Sequence, residues 1–315
     1  MSIDKKYIEI FSNITSMAAY SCFKQVGKKN KKLADKAAVD SMRNELNKLE
    51  ISGEVVIGEG ELDEAPMLFI GEKLGKNIGP NFDIAVDPCD GTNFAANNLP
   101  GAISVLCITE KNNLFKAPET YMNKIASQHL PNGIIDLDFT TEKNVKNLAY
   151  FKNKDISDIT VCLLDRPRHQ NIINDLKKLN VKIKLIDDGD VSGALLVSND
   201  KFNVDLFMGI GGGPEGVLVA SALDKFNCFF QGRFIFDTEE SKKRASKMGI
   251  KDLERKYMIN EIVRGDSIFC ATGITNGDLC DGIKINGNKF LSETFVTHKD
   301  SGFSKVLKRE FDIKT

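Results

Sequence analysis

The first part of the chain shows two runs of apolar residues at helical spacing. Positions three or four apart are apolar over residues 6–23 and again over residues 34–49, which predicts two amphipathic helices. Residues 24–32 lie between these runs and contain five lysines. We predict that this basic stretch is an exposed loop.

Short apolar runs that end at turn residues follow the helices and predict strands. They cover residues 55–57, 84–86 and 102–109. The second is expected to end at Asp87-Pro88, because proline has no N–H group to continue the hydrogen-bond ladder.

From about residue 159, predicted strands and helices alternate. The strands cover residues 159–164, 181–186 and 204–210, and the helices cover residues 170–179, 190–197 and 214–226. Such alternation is typical of an α/β fold with a largely parallel or mixed sheet covered by helices. A charged surface helix is predicted over residues 239–256.

A length of 315 residues, 42% of them hydrophobic, suits one large domain or two lobes. The change of pattern places the lobes at residues 1–155 and 156–315. The formal net charge of -1 gives no overall basic field for nucleic acid or an anionic membrane. No apolar run is long enough to span a membrane. Seven scattered cysteines without a CxxC pair fit reduced, mostly buried thiols in a cytoplasm.

The acidic residues concentrate in three clusters, of which the first follows the strand at residues 55–57. Glu59, Glu61 and Asp63 lie within five residues, beside glycines that allow a tight bend. Clustered carboxylates repel one another unless a cation lies among them. Oxygen ligands of this kind suit Mg²⁺ or Mn²⁺. The alternative is a solvated acidic turn.

The second cluster follows the strand at residues 84–86. Asp87 ends that strand and Asp90 comes three residues later, so both carboxylates can face one pocket. Gly91 and Thr92 can open a helix or a tight turn, where backbone N–H groups and a hydroxyl would meet a phosphate. The alternative, an ordinary Asp-Gly turn after a strand, is less favoured because the string Asp-Pro-x-Asp-Gly-Thr is specific.

The third cluster is the glycine-rich stretch at residues 209–216, between a strand and a helix. Glycines let the backbone approach a ligand, and Glu215 at the helix start could reach a metal. Three of the glycines also match the dinucleotide-binding pattern G-x-G-x-x-G, and Asp237 follows about 20 residues later. Against that alternative, Glu215 would place a carboxylate beside a pyrophosphate.

Two further segments follow predicted strands and could hold a substrate. Arg166 and Arg168 can fork onto phosphate oxygens. Asp188 and Asp190 can accept hydrogen bonds from sugar hydroxyls. Each segment could instead be a surface loop. His169 is predicted to be structural, and no Ser/His/Asp nucleophile arrangement can be read from the sequence.

Five motifs occur in the order GEGELDEAPM, DIAVDPCDGT, RPRH, DDGDV and GIGGGPEGV. In this order they resemble the motifs of class II, GlpX-type fructose-1,6-bisphosphatases, over nearly the whole chain. LADKAAVDSMR at residues 33–43 and ATGIT at residues 271–275 fit the same pattern. The second motif is also similar to the wider lithium-sensitive phosphatase superfamily. The resemblance implies an α/β fold, the layered α-β-α-β-α sandwich of the sugar phosphatase / inositol monophosphatase type.

The resemblance also implies roles for individual residues. Asp35 and Glu59 would hold one divalent metal, and Asp87, Asp90 and Glu215 would hold another. The residues implied in catalysis are Lys31, Asp63 and Thr92. The contacts to the sugar phosphate would be Asp90, Gly91, Thr92, Tyr121, Arg166, Pro167, Arg168, Asp188, Gly189, Asp190 and Gly212. Asp90 stands where the family commonly has glutamate.

The reaction implied is the Mn²⁺- or Mg²⁺-dependent hydrolysis of the 1-phosphate of fructose 1,6-bisphosphate, a cytoplasmic step of gluconeogenesis. Sedoheptulose 1,7-bisphosphate, alone or as a second substrate, is the alternative. A non-catalytic sugar-phosphate sensor is a more distant one, and the complete set of carboxylates argues against it. The expected partners are a small-molecule sugar bisphosphate and further copies of the chain in a homodimer or homotetramer.

Overall fold

The computed structural model describes residues 2–58 and 67–313. The chain forms two compact units. The first consists of Met1–Lys116 and Val263–Thr315, and the second is Ala117–Ile262.

Helices and strands are numbered in chain order. The helices are α1 (Lys6–Phe23), α2 (Lys31–Leu46), α3 (Thr92–Asn97), α4 (Thr141–Lys152), α5 (Gln170–Lys178), α6 (Asp190–Leu195), α7 (Gly213–Asp224), α8 (Glu239–Lys247) and α9 (Ile259–Ile262). The strands are β1 (Ser52–Ile57), β2 (Lys73–Leu74), β3 (Asn81–Asp90), β4 (Ile103–Glu110), β5 (Tyr121–Ser127), β6 (Thr160–Leu164), β7 (Lys182–Ile186), β8 (Leu206–Gly212), β9 (Phe229–Ile235), β10 (Tyr257–Met258), β11 (Ser267–Gly273), β12 (Lys284–Asn286), β13 (Lys289–His298) and β14 (Phe303–Asp312).

The first unit contains a mixed sheet in the order β12-β13-β11-β4-β3-β1-β2, with β14 paired to β13. Only the pairing of β1 with β3 is parallel among those assigned in this sheet. Helices α1 and α2 pack on this sheet, where Phe11 and Met42 join Val86, Leu106 and Ile268 in one buried cluster. Burying each such side chain contributes about 1.5–3 kcal/mol.

The second unit contains a mixed sheet in the order β10-β9-β5-β8-β6-β7. Strand β6 is parallel to both β7 and β8, whereas β5 is antiparallel to β8 and β9. Helices α4 and α5 place Leu148 and Ile173 against Ile125, Val161 and Leu206 of this sheet. Each unit is therefore a mixed sheet with helices packed on it, and the predicted α/β class is confirmed.

The division into units differs from the predicted lobes, because the position 155/156 lies inside the second unit. Strand β5 precedes that position and yet pairs with β8 and β9 of the second sheet. Strand β11 lies far beyond it and pairs with β4 of the first sheet. Pairings between strands so distant in sequence leave no local pattern from which a boundary could be read.

The helix predicted over residues 239–256 is wrong in its second half. Helix α8 ends at Lys247, and Gly249 follows with a φ of 88°. Glycine in this left-handed conformation is a common helix terminator. The chain then reaches the short strand β10, which pairs with β9.

An Asp-His-Ser constellation joins the N terminus to the last strands of the first unit. His298 Nε2 lies 2.7 Å from Asp266 Oδ2, and Ser301 Oγ lies 2.9 Å from His298 Nδ1. Asp266 also accepts hydrogen bonds from the backbone N–H groups of Ile3 and Asp300. A carboxylate engaged by so many donors anchors the structure, so we assign no nucleophilic role to this constellation.

All seven cysteines are buried thiols outside any disulfide, as the sequence predicts. Among the described residues, no helix is long and apolar enough to cross a membrane.

Candidate functional site

The first unit presents two buried aspartates at the end of β3. The prediction that this strand ends at Asp87-Pro88 is wrong, because the strand continues to Asp90. Asp87 pairs with Val105 and Asp90 with Ile103, so β3 advances one residue more than β4. Such a bulge can accommodate Pro88, which has no N–H group to donate to the ladder. Both carboxylates are at most 8% exposed.

Helix α2 brings a third carboxylate to the same region. Asp35 lies four residues after Lys31 and therefore on the same side of the helix. The contact with Cys22, burial, and the negative charges of Asp87 and Asp35 together raise the pKa of the Cys89 thiol well above its usual range. Asp35 on α2 and Asp87 on β3 therefore both lie close enough to Cys89 for their charges to raise its pKa. Lys31 itself is exposed.

Gly91 connects β3 to α3 with φ 86° and ψ 46°. A side chain would be strained in this conformation, and its Cβ would lie 2.9 Å from Phe94. The glycine thus permits the turn that makes Thr92 the first residue of α3, as predicted. Thr92 is partly exposed, next to the buried Asp90.

Glu59 and Asp63 lie outside the described residues. Within residues 2–58 and 67–313, no group of three acidic, histidine or cysteine side chains is placed to hold a metal ion. The chemistry of the donors nevertheless fits a hard divalent cation, since Asp35, Asp87 and Asp90 offer carboxylate oxygens in buried positions.

The second unit brings the predicted sugar-phosphate contacts from Tyr121 onward to one edge of its sheet. Because β6, β7 and β8 are parallel, their carboxyl ends meet at the same edge. The segments that follow these ends are 165–169, 187–190 and 213–216. Tyr121 begins the antiparallel β5 and pairs with Gly212 at the end of β8, so it lies at that edge too.

Both arginines of this edge are held in place. Arg166 donates from Nη2 to Asp188 Oδ1 at 3.2 Å and from Nη1 to the carbonyl oxygen of Asp187. Arg168 donates from Nε and Nη2 to the carbonyl oxygen of Ile210 at 2.9 and 2.8 Å. Its guanidinium carbon lies 5.0 Å from the ring centroid of Tyr121. Pro167 separates the two arginines and begins a turn of 3₁₀ helix.

Lys124 was not predicted as a site residue, yet it is fully buried on β5 and its ammonium group reaches this edge. Its ammonium group donates to Asp190 Oδ2 and, at 2.9 Å, to the carbonyl oxygen of Gly212. Gly189, with φ 79°, precedes Asp190 at the start of α6. The signal in the sequence is that strand alternation places this lysine on the same face as the apolar Met122 and Ala126.

Two glycines of β8 make room for carboxylates. A Cβ on Gly211 would lie 2.0 Å from Asp190 Oδ2, and one on Gly212 would lie 1.7 Å from Glu215 Oε2. Desolvation raises the pKa of Glu215, partly offset by the positive charge of Lys124. The charge of Asp190 raises it further. A bound cation would stabilise the ionised form of a carboxylate that has lost its solvent in this way.

The same geometry argues against the dinucleotide-binding alternative. In that fingerprint the glycines leave space for a pyrophosphate. Here the space beside Gly211 and Gly212 holds the carboxylates of Asp190 and Glu215, which would repel such a ligand.

His169 is structural, as predicted. It is buried, with Nδ1 2.7 Å from the carbonyl oxygen of Leu164, and Nε2 accepts the N–H of Ile210 at 2.7 Å. The ring thus joins the ends of β6 and β8 and requires an unprotonated Nε2. Burial lowers the pKa of His169, and the neighbouring charge of Arg168 acts in the same direction.

We expect the stability contributed by His169 to be complete above about pH 6.5, the pKa of an unperturbed histidine, and to fall below it. The folded state binds the proton less readily than the unfolded state, so protonation favours unfolding. The difference in melting temperature between the wild type and His169→Gln, followed from pH 8 to pH 5, measures this contribution to stability. The advantage of the wild type should shrink on acidification, and a constant or growing advantage would contradict the assignment.

Comparisons with known proteins extend over nearly the whole chain. The family model described as "Bacterial fructose-1,6-bisphosphatase, glpX-encoded" matches residues 5–311. A fructose-1,6-bisphosphatase class 2 of Haemophilus influenzae is 42% identical, over 95% of this chain and 93% of that protein. A D-fructose 1,6-bisphosphatase class 2/sedoheptulose 1,7-bisphosphatase of a Synechococcus strain is 38% identical, over 91% of this chain and 90% of that protein.

Two solved structures give weaker matches. The extragenic suppressor protein suhB of Bartonella henselae is 11% identical over 62% of this chain and 73% of that chain, with a TM-score of 0.36. An inositol monophosphatase of Anabaena is 12% identical over 62% and 71%, with a TM-score of 0.32. These TM-scores are too low to support a conclusion about this chain.

Proposed function

Because this chain belongs to the bacterial, glpX-encoded fructose-1,6-bisphosphatase family, we infer that it hydrolyses the 1-phosphate of fructose 1,6-bisphosphate. The products are fructose 6-phosphate and phosphate. The observation that carries this inference is the 42% identity to a fructose-1,6-bisphosphatase class 2 across 95% of the chain. The family predicted from the motifs is confirmed.

Membership of this phosphatase family implies dependence on a divalent metal. We propose that the ions are Mn²⁺ or Mg²⁺, that Asp35 and Glu59 hold one of them, and that Asp87, Asp90 and Glu215 hold another. Bound there, the cations would neutralise phosphate charge and lower the pKa of a water molecule. The buried carboxylates of the first unit and the desolvated Glu215 of the second support this choice.

The remaining residues have the chemistry to orient the substrate. In this proposal Asp63 or the Thr92 hydroxyl positions the attacking water, and Lys31 contributes a positive charge beside Asp35. Gly91 and Thr92 contact the 1-phosphate.

At the edge of the second sheet, Arg166 and Arg168 would bind the distant phosphate, because guanidinium groups pair with phosphate oxygens at two points. Asp188 and Asp190 would accept hydrogen bonds from sugar hydroxyls. Tyr121 stacks on Arg168 and supports its orientation. Fixing both ends of the substrate raises the rate by reducing the freedom lost on reaching the transition state.

Sedoheptulose 1,7-bisphosphate is the second candidate substrate. The relatives from Synechococcus and Prochlorococcus, which are 38–39% identical to this chain, carry both activities in their names. The two sugars differ by one carbon, and one added group in a pocket changes selectivity only about 10- to 200-fold.

The test is phosphate release by the purified protein with Mn²⁺ or Mg²⁺, and with EDTA as the control. Fructose 1,6-bisphosphate, sedoheptulose 1,7-bisphosphate and inositol 1-phosphate are compared. We expect metal-dependent turnover that is fastest on the fructose substrate. Faster turnover of another substrate would change the assignment, and none from folded, metal-bound protein would favour a sugar-phosphate sensor.

A further inference from the structure

Lys124 is a buried cation whose partners belong to the proposed sugar-phosphate site. It lies in the centre of the second sheet, on β5, and has no exposed surface. Its ammonium group donates to the carboxylate of Asp190, which begins α6, and to the carbonyl oxygen of Gly212, which ends β8. One ammonium group therefore connects three neighbouring elements of the edge.

The ion pair uses only one side of the Asp190 carboxylate. Oδ2 accepts the hydrogen bond from Lys124, whereas Oδ1 is buried and has no hydrogen-bond partner in the part of the chain that the structure describes. Buried carboxylate oxygens are rarely left in this state, because the lost hydration is costly. An acceptor held rigidly and left open in this way suits a hydroxyl group of a ligand.

Stability alone does not account for Lys124. Replacing a buried ion pair by apolar side chains of similar volume is often neutral or stabilising, so such a pair is weak evidence for a structural purpose. What the pair does here is fix the carboxylate against Gly211, which has no Cβ to obstruct it. An apolar residue at position 124 could fill the space but could not orient Asp190.

We propose that Lys124 is a positioning residue that holds Asp190 so that Oδ1 accepts a hydrogen bond from a hydroxyl of the sugar bisphosphate. This proposal rests on the proposed function, since it concerns the same substrate. Lys124 does not touch the substrate and acts through Asp190.

The experiment compares Lys124→Met, Asp190→Asn and the double variant with the wild type. KM and kcat are measured on fructose 1,6-bisphosphate, and binding of fructose 6-phosphate is measured by calorimetry. We expect Lys124→Met to raise KM and weaken product binding by about 10- to 100-fold, the loss of one charged hydrogen bond. The change in kcat should be much smaller, because a uniform binding contact is lost.

The double variant separates orientation from folding. Lys124→Met alone leaves an unpaired buried carboxylate and could unfold the protein, whereas the double variant removes both charges and should regain stability. If Lys124 acts only through Asp190, KM of the double variant is no higher than that of the single variants. Effects on KM that multiply would overturn the proposal.

Lys152→Met is the matched control. Lys152 also pairs with a buried aspartate, Asp205, at 2.8 Å, but Asp205 precedes β8 while Gly212 ends it, about 20 Å away. This variant should lose thermal stability and keep KM. A wild type that releases no phosphate from fructose 1,6-bisphosphate would refute the proposed function. An active wild type with unchanged KM and product binding in Lys124→Met would refute only the role of Lys124.

Discussion

Replacing Asp87 by asparagine is expected to lower kcat by about 10²- to 10³-fold, the cost of removing one preorganised electrostatic group from a catalytic site. Asparagine has nearly the same shape and keeps the oxygen that accepts the N–H of Cys89 at 3.1 Å. The fold should therefore survive while the negative charge proposed to bind the cation is lost. Phosphate release under saturating fructose 1,6-bisphosphate, with melting temperature measured in parallel, gives the result.

Asp83→Asn is the matched control for this variant. Asp83 is buried on the same strand, four residues earlier, and accepts the N–H groups of Asn113 and Leu114 at 3.0 and 3.3 Å. Its partners are structural and asparagine retains an oxygen to accept their hydrogen bonds, so its replacement should leave kcat nearly unchanged. Equal losses of kcat in both variants would indicate a general disturbance of β3, and near-normal kcat in Asp87→Asn would refute the assignment of Asp87 as a metal ligand.

Local periodicity was sufficient to predict some elements. Helix α1 has the predicted bounds. Its apolar residues lie three or four positions apart, a spacing that places them on one face only if the segment is helical. Helix α2 begins three residues earlier than predicted. The Asn30 side chain accepts the N–H of Leu33 at 3.0 Å and thereby caps the helix ahead of its apolar face.

The C-terminal strands β11–β14 show what local patterns miss. They join the first sheet through the pairing of β11 with β4, and these two strands lie too far apart in sequence for any local pattern to predict the pairing. Recognition of the motifs predicted candidate site residues, and those of the second unit lie at or beyond the carboxyl ends of β6, β7 and β8. It could not reveal Lys124, whose importance depends on contacts with α6 and the end of β8.

The glycine-rich stretch at residues 209–216 permits two interpretations from sequence, a close approach to a ligand or a dinucleotide fingerprint. The structure adds a third, since Gly211 and Gly212 leave space for side chains of the protein itself. Neither residue adopts the left-handed conformation that would demand glycine for the backbone; Gly212 has φ -65° and ψ 144°. What requires glycine at these positions is the absence of a Cβ.

We therefore expect Gly211→Ala to lower kcat/KM of phosphate release from fructose 1,6-bisphosphate by about 10²-fold, the penalty for displacing a substrate-orienting group by roughly 1 Å. The new Cβ would lie 2.0 Å from Asp190 Oδ2, so the carboxylate must leave its present position. Gly212→Ala should have a similar effect through Glu215, whose Oε2 would lie 1.7 Å away, and should also weaken Mn²⁺ binding.

Gly133→Ala distinguishes this local displacement from a general cost of replacing glycine. Gly133 has φ 89°, so alanine there is strained by about 1–2 kcal/mol, but its Cβ would meet no atom within 4 Å. This control should lose stability and keep kcat/KM, whereas Gly211→Ala should lower kcat/KM, so kcat/KM separates the two variants. If Gly211→Ala retained full kcat/KM, the position of Asp190 beside β8 would not matter for the reaction, and the glycines would need another explanation.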